Sequence, residues 1–215
     1  MVTVVLFDMD GVLVDSERYW ERHWEQQVFP RVQSGEPVID DITGRSIQDI
    51  ITVLDSEYGL PVAVDTFQEE IEAFADEMYR EKATVTPGME SLFAGLQDRG
   101  LTVAVVSSAL NRWIAHVIEH SELNPAITVS AEDIDAPSKP NPAIYTHAMD
   151  RLGVDPSECL VVEDSVQGVK AGNRADTTVI RYQCNQRADP IPESDYVAEN
   201  ITELREKIVQ LSNEA

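Results

Sequence analysis

An α/β fold, built as a doubly wound parallel sheet carrying an all-helical insertion, is predicted for this chain of 215 residues by three observations. The first is an amino-terminal run of apolar, β-branched residues, Val2 to Phe7, which stops abruptly at Asp8-Met9-Asp10-Gly11. It does not alternate with polar residues, as expected of a strand covered on both faces. The second is a stretch, 16–83, whose apolar positions recur at helical spacing with no buried strand between them. The third is the regular alternation of strand and helix patterns after Pro87-Gly88, the signature of a parallel sheet with helices on both faces. The first strand belongs to that sheet. Residues 1–15 and 84–215 therefore form one core domain, and 16–83 form a helical cap inserted into it.

Taken in order, Ser16 to Phe29 is helical, with Tyr19, Trp20, Trp24 and Val28 on one face, until Gly35-Glu36-Pro37 breaks it. Ser46, with Asp49 three residues on, is a capping box opening a helix through Glu57. Gly59 and Pro61 end that helix, and Thr66 to Lys82 follows as an acidic amphipathic one, with Phe67, Ile71, Phe74 and Met78 in line. In the second half, helices are expected over 89–99, 110–120, 142–152, 166–174 and 201–211. Strands are expected over 101–106, 127–129, 159–162, 177–180 and 196–197.

Composition excludes several partners. The formal charge of −23 comes from 39 acidic residues against 16 basic ones, of which only Lys82, Lys139, Lys170 and Lys207 are lysines. Such a field repels nucleic acid and anionic membranes. The acids are dispersed through the chain, a pattern suited to high salt, where screening removes self-repulsion. No window approaches the roughly 18 apolar residues that span a bilayer, and no secretory signal precedes the first strand. Cys159 and Cys184 stand in unrelated contexts, which fits a reducing cytoplasm better than a disulfide framework.

Alone, Asp8-Met9-Asp10-Gly11 reads equally as a polar turn and as a reactive site. The other strand ends alter the balance. Ser107-Ser108 and Glu163-Asp164 also close apolar runs, and Ser138-Lys139-Pro140-Asn141-Pro142 precedes a helix. In a parallel sheet the carboxyl ends of strands share one edge, so these groups converge. Carboxylates from two strands make a hard, oxygen-lined site suited to Mg²⁺. One lysine and a hydroxyl beside them suit a phosphoryl group.

These four segments resemble the motifs of the haloacid dehalogenase superfamily of phosphotransferases, and the resemblance covers nearly the whole chain. Asp-Gly-Val-Leu-Val-Asp-Ser, Lys-Pro-Asn-Pro-Ala-Ile-Tyr and Val-Glu-Asp-Ser-Val-Gln-Gly-Val-Lys-Ala-Gly are similar to the branch containing phosphoglycolate phosphatase and beta-phosphoglucomutase. The resemblance implies that Asp8 is the nucleophile, forming an aspartyl-phosphate, and that Asp10 is the general acid and then the base. It implies Mg²⁺ held by Asp8, the Asp10 backbone carbonyl and Asp164, with Glu163 acting through water. It assigns Ser107, Ser108, Lys139 and Asn111 to the phosphate side. Asp10 also argues against dehalogenation, which needs no second aspartate.

Other signals carry less. His116-Val117-Ile118-Glu119-His120 matches a zinc pattern but lacks a third ligand, so surface histidines on a connecting helix are expected. Gly168 and Gly172 suit close helix–sheet packing, and Ser165 a helix cap. Arg45, in Gly44-Arg45-Ser46, is an anion clamp beside a helix start, the position that contacts the distal phosphate in beta-phosphoglucomutase-like proteins. Trp20 stands where such mutases carry a histidine, and Trp20 and Trp24 are expected in the core. The expected function is a Mg²⁺-dependent phosphatase of small phosphorylated metabolites, phosphoglycolate- or sugar-phosphate-like, cytoplasmic, and a monomer or small homo-oligomer. A phosphosugar mutase and a non-catalytic phospho-ligand binder are the alternatives.

Overall fold

A computed structural model describes residues 1–183 and 194–213; Cys184 lies outside them. Six parallel strands form one sheet in the order β3-β2-β1-β4-β5-β6. They are β1 (Val4–Phe7), β2 (Thr102–Ser107), β3 (Thr128–Ser130), β4 (Cys159–Glu163), β5 (Thr178–Tyr182) and β6 (Tyr196–Ala198). The order reverses at β1, which pairs with β2 on one side and β4 on the other. That reversal opens a crevice at the carboxyl end of β1, where open α/β sheets take their ligands.

The helices between and after these strands are α4 (Met89–Gln97), α5 (Asn111–Glu119), α6 (Ala143–Leu152), α7 (Val166–Arg174) and α8 (Ile201–Asn213). All of β1 is buried, as its unbroken apolar run requires. Val5 and Phe7 join a core with α4, α5 and α8, while Val4 and Leu6 join the one beneath α6 and α7. Strand alternation thus sends successive residues to opposite layers. Gly172 lets α7 lie close to the sheet, since a Cβ there would meet Val179 at 2.8 Å. Gly168 serves another purpose: a Cβ there would lie 1.9 Å from the Glu163 carboxylate.

Residues 16–83 are helical throughout their ordered elements. They comprise α1 (Glu17–His23), which continues through a wider π turn to Val28, then α2 (Ile47–Val53) and α3 (Val64–Glu81). Ser46 caps α2 by accepting from the Asp49 backbone N–H at 3.2 Å. The expected return half of the capping box is replaced. The Asp49 carboxylate accepts instead from the backbone N–H of Ser138, 2.9 Å away in the core, a donor that no local partner satisfies.

The helical segment leaves and re-enters the core at one place. The Asp15 N–H donates to the Thr84 carbonyl at 3.0 Å, the Thr86 N–H to Leu13 at 2.8 Å, and Val14 pairs with Val85. The Asp15 carboxylate accepts from the Thr84 backbone N–H and hydroxyl as well, so the two connections run side by side. Among the described residues, no helix is long and apolar enough to cross a membrane.

Candidate active site

β1 ends at Phe7, and the chain then turns so that Asp8 and Asp10 both line a cavity between the sheet edge and the helical segment. Gly11 makes the turn possible. Its φ is +74°, and any Cβ there would lie 1.9 Å from an oxygen of Asp164. Asp164 follows β4, the neighbour of β1, so paired strands deliver the carboxylates to one point. The cavity encloses about 70 Å³, room for roughly half a dozen waters at 10–15 Å³ each, which suits a compact ester.

Lys139 ties these strand ends together. Its ammonium donates to Asp8 Oδ1 and to Glu163 Oε1, both at 2.6 Å, and the side chain is 2% exposed. Burial opposes that charge, yet the carboxylates of Asp8 and Glu163 hold the ammonium above the ordinary lysine range. Glu163 also accepts from the Tyr145 hydroxyl at 2.6 Å and from the Asp164 N–H and Ser165. It is fully enclosed and acts as the fixed anchor of Lys139. The space it occupies is the space a side chain at Gly168 would fill.

Burial, with Glu163 nearby, pushes the Asp8 carboxyl well above its usual range, against the pull of Lys139. Asp164 is raised likewise by burial, Glu17, Glu163 and Asp8. Ligand oxygens of Asp8, Glu163 and Asp164 all fall within 4.8 Å of one another. Crowded, dehydrated carboxylates of this kind are stabilised by a divalent cation, and the all-oxygen donor set fits a hard one. Asp8 and Asp164 face the cavity, whereas Glu163 is already engaged by donors from four residues.

Asp10 is held differently. The Ser16 hydroxyl and the Tyr79 hydroxyl both donate to its Oδ1, the latter at 2.7 Å. Burial raises the Asp10 carboxyl, and the Ser16 and Tyr79 hydrogen bonds draw it part of the way back. With two donors on Oδ1, a carboxyl proton belongs on the other oxygen. Tyr79 comes from the last turns of α3, and sequence reasoning missed it because its position reads as one more buried helix residue. Its ring stacks on Trp113 at 5.5 Å.

Ser107 and Ser108 line the cavity at the end of β2. The Ser107 oxygen accepts from the Ala109 N–H, which aims its hydroxyl proton away from that bond; Ser108 donates to the Gly44 carbonyl at 3.0 Å. Arg45 lines the cavity too, and its buried Nε has no hydrogen-bond partner. Asn111 is not brought to this centre. Its amide donates to Asp133 at 3.0 Å and its backbone N–H to Glu132, because the first turn of α5 needs acceptors and the 131–133 turn supplies them. Trp20 and Trp24 are core residues, as expected, and yet both also form cavity wall. The rings of His116 and His120 lie 4.1 Å apart, and among the described residues no third ligand completes a metal set there.

Comparison with known proteins places this geometry in a family. The family model described as haloacid dehalogenase-like hydrolase matches residues 2–176. Hexitol phosphatase B of Escherichia coli is 29% identical over 81% of this chain and 80% of its own. Validoxylamine A 7′-phosphate phosphatase of Streptomyces hygroscopicus is 27% identical over 95% of this chain and 97% of its own. Among solved structures, CbbY from Rhodobacter sphaeroides in complex with phosphate superposes with a TM-score of 0.74 at 22% identity, covering 95% of this chain and 96% of that one. With the strand order, the inserted helices and the family model in agreement, this chain belongs to the haloacid dehalogenase-like hydrolases.

Proposed function

We propose that this chain is a Mg²⁺-dependent phosphatase acting on small phosphorylated metabolites in the cytoplasm, with residues 16–83 serving as a cap over the site. The observation that carries the reading is the pairing of unlike aspartates. Asp8 is bound to Lys139, and Asp10, two residues on, is held by neutral hydroxyls alone. The ammonium beside Asp8 favours its ionised form against burial, which suits a nucleophile, whereas Asp10, raised by burial and without a cationic hydrogen-bond partner, is suited to carry a proton. Relatives named as phosphatases of a hexitol and of validoxylamine A 7′-phosphate are in keeping with this.

In the first step an Asp8 oxygen bonds to phosphorus as the bond to the leaving alcohol oxygen breaks, and Asp10 gives that oxygen its proton. In the second, Asp10 takes a proton from water as the water oxygen bonds to phosphorus, and the Asp8–phosphorus bond breaks. Asp8, the Asp10 carbonyl and Asp164 would hold Mg²⁺, which supplies charge neutralisation between an anionic nucleophile and an anionic phosphate. Lys139 shields the charge on Asp8, the Ser107 hydroxyl donates to a phosphoryl oxygen, and Arg45 closes over it. Glu163 keeps Lys139 in place.

The test is Asp8→Asn with a panel of phosphate esters and Mg²⁺. It should abolish phosphate release while the far-UV circular dichroism and thermal midpoint stay close to those of the unaltered protein. Full turnover in that variant removes the assignment. From a hexose 1-phosphate the expected product is free phosphate, not an isomerised phosphosugar.

A further inference from the structure

Resting on the phosphatase reading, we infer that Asp49 is a positioning residue: its carboxylate seats the α2 edge of the cap, and Arg45 with it, on the loop that carries Lys139. The cap segment 44–49 meets three serines of the core. The Ser108 hydroxyl donates to the Gly44 carbonyl at 3.0 Å, and the Ser138 N–H donates to the Asp49 carboxylate at 2.9 Å. A Cβ on Gly44 would lie 2.7 Å from the Ser165 hydroxyl oxygen. Each of these serines is the chain neighbour of a group at the candidate site: Ser107, Lys139 and Asp164. The same segment brings Arg45 to the cavity wall.

The three contacts are unequal. Gly44 against Ser165 is packing alone, and a serine hydroxyl such as that of Ser108 can rotate to another acceptor. The Ser138 N–H is fixed by its backbone, and Asp49 gives it a charged acceptor, the stronger kind of bond. Ser138 is buried. With the cap seated and Asp49 shortened, that N–H would be enclosed without a partner; with the cap lifted, water would satisfy it. Losing the carboxylate therefore penalises the seated state and not the open one. The dock itself stays put, because Lys139 is held by Asp8 and Glu163, and the Pro140 carbonyl accepts from Arg174 of α7 at 2.8 Å. The α3 edge of the cap has its own attachment, from Arg112 and Trp113 of α5 to Asp76. What Asp49 governs is the α2 edge and the arginine beside it.

The experiment compares Asp49→Ala, Asp49→Asn and Ser46→Ala with the unaltered protein, on 4-nitrophenyl phosphate with Mg²⁺. Asp49→Ala should raise KM about 10- to 100-fold, the scale of a lost hydrogen bond to a charged group, because substrate must then close the cap unaided. Its kcat should stay within about threefold, since the closed complex reacts as before. Asp49→Asn keeps an acceptor oxygen and should recover most of the loss. Ser46→Ala uncaps the same helix but leaves the Asp49 carboxylate, so an equal rise in KM there assigns the effect to the helix and overturns the inference. A second readout needs no turnover. All three tryptophans, Trp20, Trp24 and Trp113, line the cavity between cap and core, so acrylamide quenching of their fluorescence follows closure. Quenching should increase in Asp49→Ala and not in Ser46→Ala; unchanged quenching in Asp49→Ala overturns the inference. Raised quenching in a protein that turns over no ester keeps the seating role of Asp49 and overturns the phosphatase reading alone.

Discussion

Removing the Tyr79 hydroxyl is the sharpest probe of how Asp10 is prepared for proton transfer. In Tyr79→Phe the ring can keep its stacking on Trp113, and the 2.7 Å bond to Asp10 is lost. Ser16 still donates to the same oxygen, so the carboxyl is loosened but not orphaned. A hydrogen bond to a charged group contributes roughly 1.5–3 kcal/mol, which corresponds to a fall of about 10- to 100-fold in a step that depends on Asp10 being in place. Because the lost donor favoured the carboxylate, the Asp10 carboxyl rises further in the variant. The alkaline limb of the kcat/KM profile should therefore move to higher pH even as its height falls. The assay is phosphate release against pH for an alkyl phosphate, with 4-nitrophenyl phosphate in parallel, where formation of the aspartyl-phosphate should be affected far less. An alkyl phosphate rate within twofold of the unaltered protein, with the limb unmoved, refutes this account of Asp10.

The remaining expectations are independent of that bond. Gly168→Ala should cost most of the activity and lower the thermal midpoint, although alanine favours helix, because its Cβ falls 1.9 Å from the Glu163 carboxylate that anchors Lys139. His23, stacked on Phe74 at 3.8 Å, is lowered to about 4 by burial and by Arg31. Between its ordinary 6.5 and that value only the unfolded chain takes up the proton, so stability should fall as pH drops through this window. With the ring part-exposed, the loss is on the order of 1–2 kcal/mol, and chemical denaturation of His23→Phe should show a shallower pH slope. The net charge of −23 predicts a thermal midpoint that climbs as salt rises from 0.1 M toward 1 M, where the screening length falls from about 10 to 3 Å; a flat response argues against salt adaptation.

The sheet and its carboxylate-bearing edge were legible because buried parallel strands leave an unambiguous trace. Val4–Phe7, Thr102–Ser107 and Cys159–Glu163 are apolar to their last residues, and the polar groups that end them mark the crevice. What escaped the sequence was settled by partners distant along the chain. Tyr79 meets Asp10 across 69 positions, and nothing in an amphipathic helix distinguishes a ring that packs from one that also donates. Asp49 looked like half of a local capping box, but Ser138, 89 residues away, had the better claim on its carboxylate. Asn111 illustrates the reverse: its spacing from Ser107 suggested the phosphate side, while the start of its own helix drew it to Asp133. Trp20 shows that a residue at helical spacing can be core and wall at once.

The side-by-side passage of Leu13–Asp15 and Thr84–Thr86 gives this architecture an exchangeable part. Both ends of the helical segment sit within one hydrogen bond of each other, 3.0 Å from the Asp15 nitrogen to the Thr84 oxygen. The segment between them could be cut out and another grafted in without altering a single strand pairing. Asp8, Lys139 and Asp164 lie outside the transplanted stretch, although Glu17, which helps raise Asp164, lies within it. Asp10 depends on the stretch directly: the hydroxyls that hold it, Ser16 and Tyr79, belong to it. Any replacement would have to arrive with its own donors for Asp10, so a new wall over the site and a new setting for that carboxyl would be inherited together.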